Sequence, residues 1–444
     1  MDLGSVKICI IGVWHQGAVA AACLAEAGYT VIGVDRDQAR VANMNLGRAP
    51  LFEPGLDELL TEGLQSKRLS FNTNIAEGLE ASRDVLLMFD TPVDENDEVD
   101  LTEIFDTARE MAPHLASDSV VLVTAQVPIG TCEQIEETIR QENPQADFVI
   151  AYCPENLRLG QAIERFKHPP LPVIGSNHQE ALDRVELLLA PLHSSWMRVN
   201  LRTAEMIKHG LNAFLAVSIC FANELGNLCD ELGADAQQIA AALRLEPRIG
   251  PKAMLFPGLG FSGGTLARDM KTLQRLGDSL GYETYLIDGA WKTNVRQNQL
   301  VVHKLKKILG SLDGLKIGVL GLTYKPDTST LRRSASIEII RELVGLNASV
   351  RACDPKADRE ELKEHSEFQL CEDAYAVAED CDALVLCTAW PEFKDLDFSR
   401  LRVAMKRPLF FDTQNLLSPA LLKEMGFTYL GIGRGIAATN GVNR

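Results

Sequence analysis

Residues 6–11 (VKICII) form a short, nearly continuous apolar run that stops at Gly12. From there to Gly28 the apolar positions recur at helical spacing, and residues 30–34 make a second apolar run that ends in Asp35. Strand, tight turn, helix and strand in that order predict a βαβ unit and a parallel sheet. Comparable runs at 84–89, 120–124 and 148–151, with a shorter one at 173–174, extend the sheet and carry the first domain over 1–199.

The period then changes. Residues 204–232 read as one long helix without proline, followed by helices at 235–243 and 267–280 around a Gly/Pro-rich stretch, 247–264, and by a last helix near 288–309. Long helices without strands suit a spacer and dimerisation element over 200–309. The strand–turn–helix pattern returns at LKIGVLG (315–321), with a helix from Ser336, a strand ending at Asp354, and strands at 383–387 and 409–411. The expected architecture is α/β: two doubly wound Rossmann-like domains, 1–199 and 310–444, joined by a central helical domain.

Charge and cysteine content narrow the function classes. The 444 residues are 46% hydrophobic and 24% charged, with a net charge of −17. So acidic a chain is no nucleic-acid binder and has no affinity for an anionic membrane surface. Phosphates must be bound locally, by helix N-termini and a few placed cations. The ten cysteines show no CxxC and no Cys/His cluster fit for a metal; several, such as Cys9, Cys220 and Cys387, sit in apolar runs as small buried hydrophobes. The start of the chain runs straight into a strand pattern without a signal-peptide pattern, and no apolar run predicts a membrane span, so a cytoplasmic location is expected.

The first turn reads Gly12-Val13-Trp14-His15-Gln16-Gly17. A dinucleotide fingerprint, G-x-G-x-x-G, needs its first glycine for the turn, its second for close approach of the pyrophosphate and its third for helix–strand packing. Gly12 and Gly17 supply the first and third, and Trp14 replaces the second. Asp35, at the end of the second strand, is placed to accept bonds from a ribose diol, which favours NAD over NADP; its other reading is a strand-end turn residue. Thr91, in Asp90-Thr91-Pro92, lines a cofactor loop or only caps a loop. Glu155, in Pro154-Glu155-Asn156-Leu157-Arg158-Leu159-Gly160, is a base or a solvated carboxylate. Lys208 and Asn212 share a helix face at i and i+4, to bind an oxyanion or move a proton, or as a Lys whose stem snorkels beside a helix Asn. The glycines of 257–264 offer backbone N–H groups just ahead of a helix, an oxyanion or phosphate cradle rather than a linker.

With these motifs in order, the chain resembles the UDP-glucose/GDP-mannose dehydrogenase family over nearly its whole length. The resemblance rests on FEPGL (52–56), DTP (90–92), PENLRLG (154–160), AEMIKHGLNAF (204–214), PRIG (247–250), GFSGGTLARD (260–269), GLTYKPDTSTLRRS (321–334), CDP (353–355) and TAWPEF (388–393). It implies oxidation of a nucleotide-sugar primary alcohol to a uronic acid with two NAD. It implies that Glu155 acts as base or water activator, that Lys208 and Asn212 hold the reacting oxygen, and that Asp269 positions Lys208 and a water. Gly12, Gly17, Asp35, Arg40, Thr91 and Arg332 would hold the cofactor. Asn156, Leu157, Gly260, Phe261 and Lys325 would hold the substrate, with Arg248 reaching it from a neighbouring subunit of a homodimer.

The chain departs from the family's GFGGSCFPKD segment: Thr265 stands at the nucleophilic cysteine and Arg268 at the following lysine. Gln126 replaces the threonine of STVP. A threonine hydroxyl is hardly ionised near neutral pH and attacks only beside a base, which the sequence does not supply. Cys153 as a substitute competes with its reading as a core residue. Three functions therefore remain open: an NAD-dependent nucleotide-sugar oxidoreductase, the same enzyme limited to two-electron oxidation, and a nucleotide-sugar-binding protein without catalysis.

Overall fold

The computed structural model describes residues 3–80, 82–94, 98–193, 195–262 and 264–435. By compactness the chain divides into two units, Met1–Leu211 and Asn212–Arg444. The division falls inside one long helix rather than at residue 199.

The first unit is built on strands β1 (Lys7–Ile11), β2 (Thr30–Val34), β3 (Leu69–Asn72), β4 (Asp84–Leu87), β5 (Ser119–Val123), β6 (Phe148–Tyr152), β7 (Val173–Gly175) and β8 (Met197–Val199). Their order is β3-β2-β1-β4-β5-β6-β7-β8. β1 shows why the apolar run is continuous: Ile8 and Ile10 enter one buried cluster, Cys9 and Ile11 the cluster on the opposite face. The sheet is parallel except at β6–β7, which pair antiparallel. β3 and β8 were not expected. β8 (MRV) lies at the sheet edge with its Met and Arg exposed, so it lacks the apolar run that marks the centre. The crossover helix α1 (His15–Glu26) follows β1, and the short helix α2 (Ala162–Lys167) follows β6.

The second unit contains helices α4 (Ala236–Arg244), α5 (Thr265–Leu280) and α6 (Tyr285–Leu309), after the long helix α3 (Leu201–Leu232) that the two units share. Its sheet comprises β9 (Lys316–Leu320), β10 (Ser349–Cys353), β11 (Gln369–Leu370), β12 (Ala383–Leu386), β13 (Leu409–Asp412) and β14 (Thr428–Gly431). They run in order β11-β10-β9-β12-β13-β14, all parallel. Both sheets thus contain the 3-2-1-4-5-6 order of a doubly wound fold, with a switch point between their first and fourth strands. The strands at 383–387 and 409–411 do not complete the second sheet as expected: the edge strands β11 and β14 extend it.

α3 corrects one expectation. It reaches the length and mean hydropathy (1.2 over 18 residues) of a membrane span. Its buried polar side chains tie it into the fold instead: Glu205 accepts the backbone N–H groups of Gly130 (2.6 Å) and Cys132 (2.9 Å), and His209 bonds the Val127 carbonyl.

Candidate active site

The loop after β1 is a tight, preformed turn. Gly12 has φ +91°, and a Cβ there would lie 2.8 Å from the Met88 carbonyl oxygen; a Cβ on Gly17 would lie 1.9 Å from the Gly12 oxygen. Both glycines are therefore fixed by backbone contact. Trp14 has φ −70° and ψ −156°, an extended conformation open to any residue. Its indole, 37% exposed, has the Arg40 guanidinium 4.9 Å from the ring centroid. Arg40 also donates to the Asp35 carboxylate at 2.7 Å, and that carboxylate accepts the N–H groups of Val13 and Asp37, each at 3.0 Å. Trp14 caps α1 without a side-chain bond, so the first helical N–H groups face the turn, as a pyrophosphate site requires. Gln16 donates its amide to the carbonyl (2.8 Å) and hydroxyl (2.7 Å) of Thr124, and Thr91 donates to the Gln126 carbonyl at 2.7 Å. A glycine-lined turn, a free helix end and a strand-end carboxylate fit a dinucleotide.

The second sheet repeats the device. Gly321, φ +90°, follows β9 and leaves no room for a Cβ, which would sit 2.5 Å from the Thr388 Cβ. Asp354, just after β10, accepts the N–H groups of Leu322 (2.6 Å) and Thr323 (3.0 Å) and the Trp390 indole N–H (3.0 Å). Asp354 is to this turn what Asp35 is to the first. Lys325 follows the turn with its ammonium 5.5 Å from the Tyr324 ring, and Arg332 lies exposed nearby in sequence.

Glu155, Asn156 and Lys208 converge in the first unit. The Lys208 ammonium donates to the Glu155 carbonyl and, at 3.2 Å, to Asn156 Oδ1. The Glu155 carboxylate accepts the Leu157 N–H, and Leu157 packs on the core. Burial pushes the Glu155 carboxyl above the ordinary range; Lys208, the Leu157 N–H and His15 oppose this, while Asp90 adds to it. A carboxylate made more basic by burial suits proton abstraction. Glu155 is half-buried rather than fully solvated. Burial, with Glu155 adding, pushes the Cys153 thiol beside it up to about 12, which disfavours the thiolate a nucleophile needs.

In the second unit the glycine-rich stretch is clamped. Asn223 Oδ1 accepts the Gly258 N–H at 2.8 Å, the Gln297 amide donates to the Gly258 carbonyl at 2.7 Å, and Asn294 bonds both the N–H (2.7 Å) and the carbonyl (3.1 Å) of Phe261. A Cβ on Gly260 would lie 2.6 Å from Asn294 Oδ1. Gly263, part of the expected cradle, lies outside the described residues. Thr265 is the first residue of α5 and is exposed. One turn on, Asp269 is fully buried and accepts the Asn212 amide. Arg248 is exposed and pairs with Glu246 at 2.8 Å.

Three family models match in succession: the NAD binding domain of the UDP-glucose/GDP-mannose dehydrogenase family at residues 6–193, its central domain at 202–296 and its UDP binding domain at 318–419. The chain is 35% identical to UDP-glucose 6-dehydrogenase TuaD of Bacillus subtilis (strain 168), over 96% of this chain and 93% of that one. The chain belongs to the UDP-glucose/GDP-mannose dehydrogenase family. It is likewise 34% identical to a UDP-glucose 6-dehydrogenase of Pseudomonas aeruginosa, over 97% and 98% of the two chains. A solved UDP-glucose dehydrogenase from Pyrobaculum islandicum superposes with a TM-score of 0.86 at 30% identity, over 96% and 98%. As a member of this family the protein is an NAD-dependent dehydrogenase with a nucleotide-sugar substrate.

For this dehydrogenase, reading the sequence missed several groups. Glu53 of FEPGL was noted as part of a motif, without a role; it is buried and accepts the Gly160 and Ala162 N–H groups at the end of the Glu155 loop. Asn223, Asn294 and Gln297 carried no signal at all, because amides scattered over two helices meet at one loop only after folding.

Proposed function

We propose that the protein oxidises a UDP-linked hexose of the glucose type at a sugar hydroxyl, and stops after two electrons. The observation that carries the oxidation is the Lys208 ammonium fixed on the Glu155–Asn156 loop beside a carboxylate made basic by burial. Bound NAD supplies the two-electron acceptor; Gly12, Gly17, Asp35, Arg40 and Thr91 would hold it. Glu155 takes the hydroxyl proton. The C–H bond opens with its electron pair leaving as hydride, and Lys208, with Asn212, stabilises the oxygen that becomes the carbonyl. Asn156, Leu157, Gly260, Phe261, Lys325 and Arg332 serve substrate and cofactor binding.

The limit of two electrons follows from Thr265. Its hydroxyl heads a helix, whose N-terminus favours an oxyanion, but among the described residues no base is hydrogen-bonded to it, so a covalent acyl-enzyme does not form. Incubation with UDP-glucose and NAD is expected to release one NADH per sugar consumed and a carbonyl product. Two NADH per sugar from the unmodified protein overturn the limit. No NADH from any of a panel of UDP-, GDP- and dTDP-sugars supports the binding-only reading instead.

The same proposal includes a homodimer. Phe214, Phe221, Leu228 and Leu232 repeat on α3 at intervals of seven, seven and four residues and are all exposed. That spacing makes one apolar seam, self-complementary across a two-fold axis. Light scattering is expected to give about twice 48.8 kDa, and Phe221→Glu with Leu228→Glu is expected to give monomers. A monomer mass for the parent at micromolar concentration excludes this assembly.

A further inference from the structure

Glu53 joins three segments that the sequence keeps apart. Its carboxylate is buried, with the side chain 1% exposed. Oε1 accepts the Ala162 N–H at 2.8 Å, opening α2, and Oε2 accepts the Gly160 N–H at 2.9 Å, closing the Glu155 loop. The same Oε2 lies 3.2 Å from His15 Nε2. A carboxylate only accepts, so the imidazole donates in this contact. His15 is the first residue of α1, inside the turn between Gly12 and Gly17. One carboxylate oxygen is therefore shared by the turn suited to a pyrophosphate and by the backbone of the loop that carries Glu155. A structural staple would need only the two backbone bonds. The third contact has a different consequence: any shift of the His15 ring on anion binding changes the bond that Gly160 donates to the same oxygen.

We infer that Glu53 is a positioning residue that couples cofactor binding to the sugar-oxidising loop, with His15 as the side chain that carries the signal. The inference rests on the proposed function, in which the 12–17 turn holds the dinucleotide and the 154–160 loop the sugar. An anion at the N-terminus of α1 acts on His15, the first residue of that helix, whose ring is bonded to Glu53. His15 then draws on Oε2, and the Gly160 N–H follows the oxygen. The loop moves as a unit at this end, because Oε1 holds the next helix through Ala162. His15 also acts on Glu155 directly: burial raises that carboxyl, and His15 is one of the groups opposing it.

The test measures coupling rather than rate. NADH and UDP-glucose together form a complex that cannot turn over, so both dissociation constants are accessible by calorimetry on the full chain. For the parent, saturating UDP-glucose is expected to change the NADH Kd on the order of tenfold, and NADH to change the UDP-glucose Kd by the same factor. In His15→Phe, which keeps both backbone bonds to Glu53, the factor is expected to fall within about twofold of one while NADH and UDP-glucose still bind. Glu53→Gln is expected to abolish it as well, with weaker UDP-glucose binding. A merely structural role lowers one affinity or both and leaves the factor unchanged. The parent factor surviving in His15→Phe, or a parent that binds both ligands independently, overturns the inference alone. A parent that binds neither ligand overturns the proposed function and the inference with it.

Discussion

Lys208→Ala is expected to lower kcat with UDP-glucose and NAD by about a hundredfold or more, whereas Thr265→Ala costs less than about tenfold. Lys208 is buried and bonded to the Glu155 carbonyl and Asn156 Oδ1, so its charge is held in place and little screened by water, where the proposed function puts the developing oxyanion. Thr265 is exposed and contributes at most packing and a hydrogen bond. Steady-state kinetics on both variants, with the fold checked by circular dichroism and cofactor binding by calorimetry, separates the two roles. Complete inactivation by Thr265→Ala with fold and NAD binding intact would show that this hydroxyl does the work of a nucleophile. Thr265→Cys is the complementary gain-of-function variant, expected to raise the yield above one NADH per sugar.

The largest stability effect is expected at Asp230. Its carboxylate, on α3, takes the Lys304 ammonium of α6 and the backbone N–H groups of Gly433 (2.9 Å) and Arg434 (3.0 Å) just beyond β14. Lys304 in turn donates to the Gly431 carbonyl at 2.9 Å. Both side chains are buried, and burial pulls the Lys304 amine below its ordinary range while Asp230 pushes it back. Asp230→Ala strands a buried cation and two backbone donors, a loss of about 3–5 kcal/mol. Thermal unfolding should show it as a fall in Tm of roughly 10 °C. Replacing both partners, Asp230→Leu with Lys304→Met, is expected to recover the part of the loss that comes from the lone buried charge, while the Gly433 and Arg434 N–H groups still lack their acceptor. A change under about 1 kcal/mol for Asp230→Ala would mean that water reaches Lys304.

What the sequence determined by itself is local. The apolar runs of β1 and β9 and the glycines that follow them specify βαβ units, because a strand buried on both faces and a turn at positive φ allow few residue types. The turn from Gly12 to Gly17 was legible for that reason, and so was the family, whose motifs carry their chemistry in short segments. The edge strands β8 and β11 escaped, since exposed residues at a sheet edge lose the apolar signature. Tertiary structure alone decided the rest. It half-buried Glu155, turned the Gly-rich stretch into a clamped loop through Asn223, Asn294 and Gln297, and brought His15 and Gly160 onto one Glu53 carboxylate oxygen. These contacts join residues 33 to 107 positions apart. Periodicity reports which face of an element is buried; it carries no information about which distant side chain meets it there.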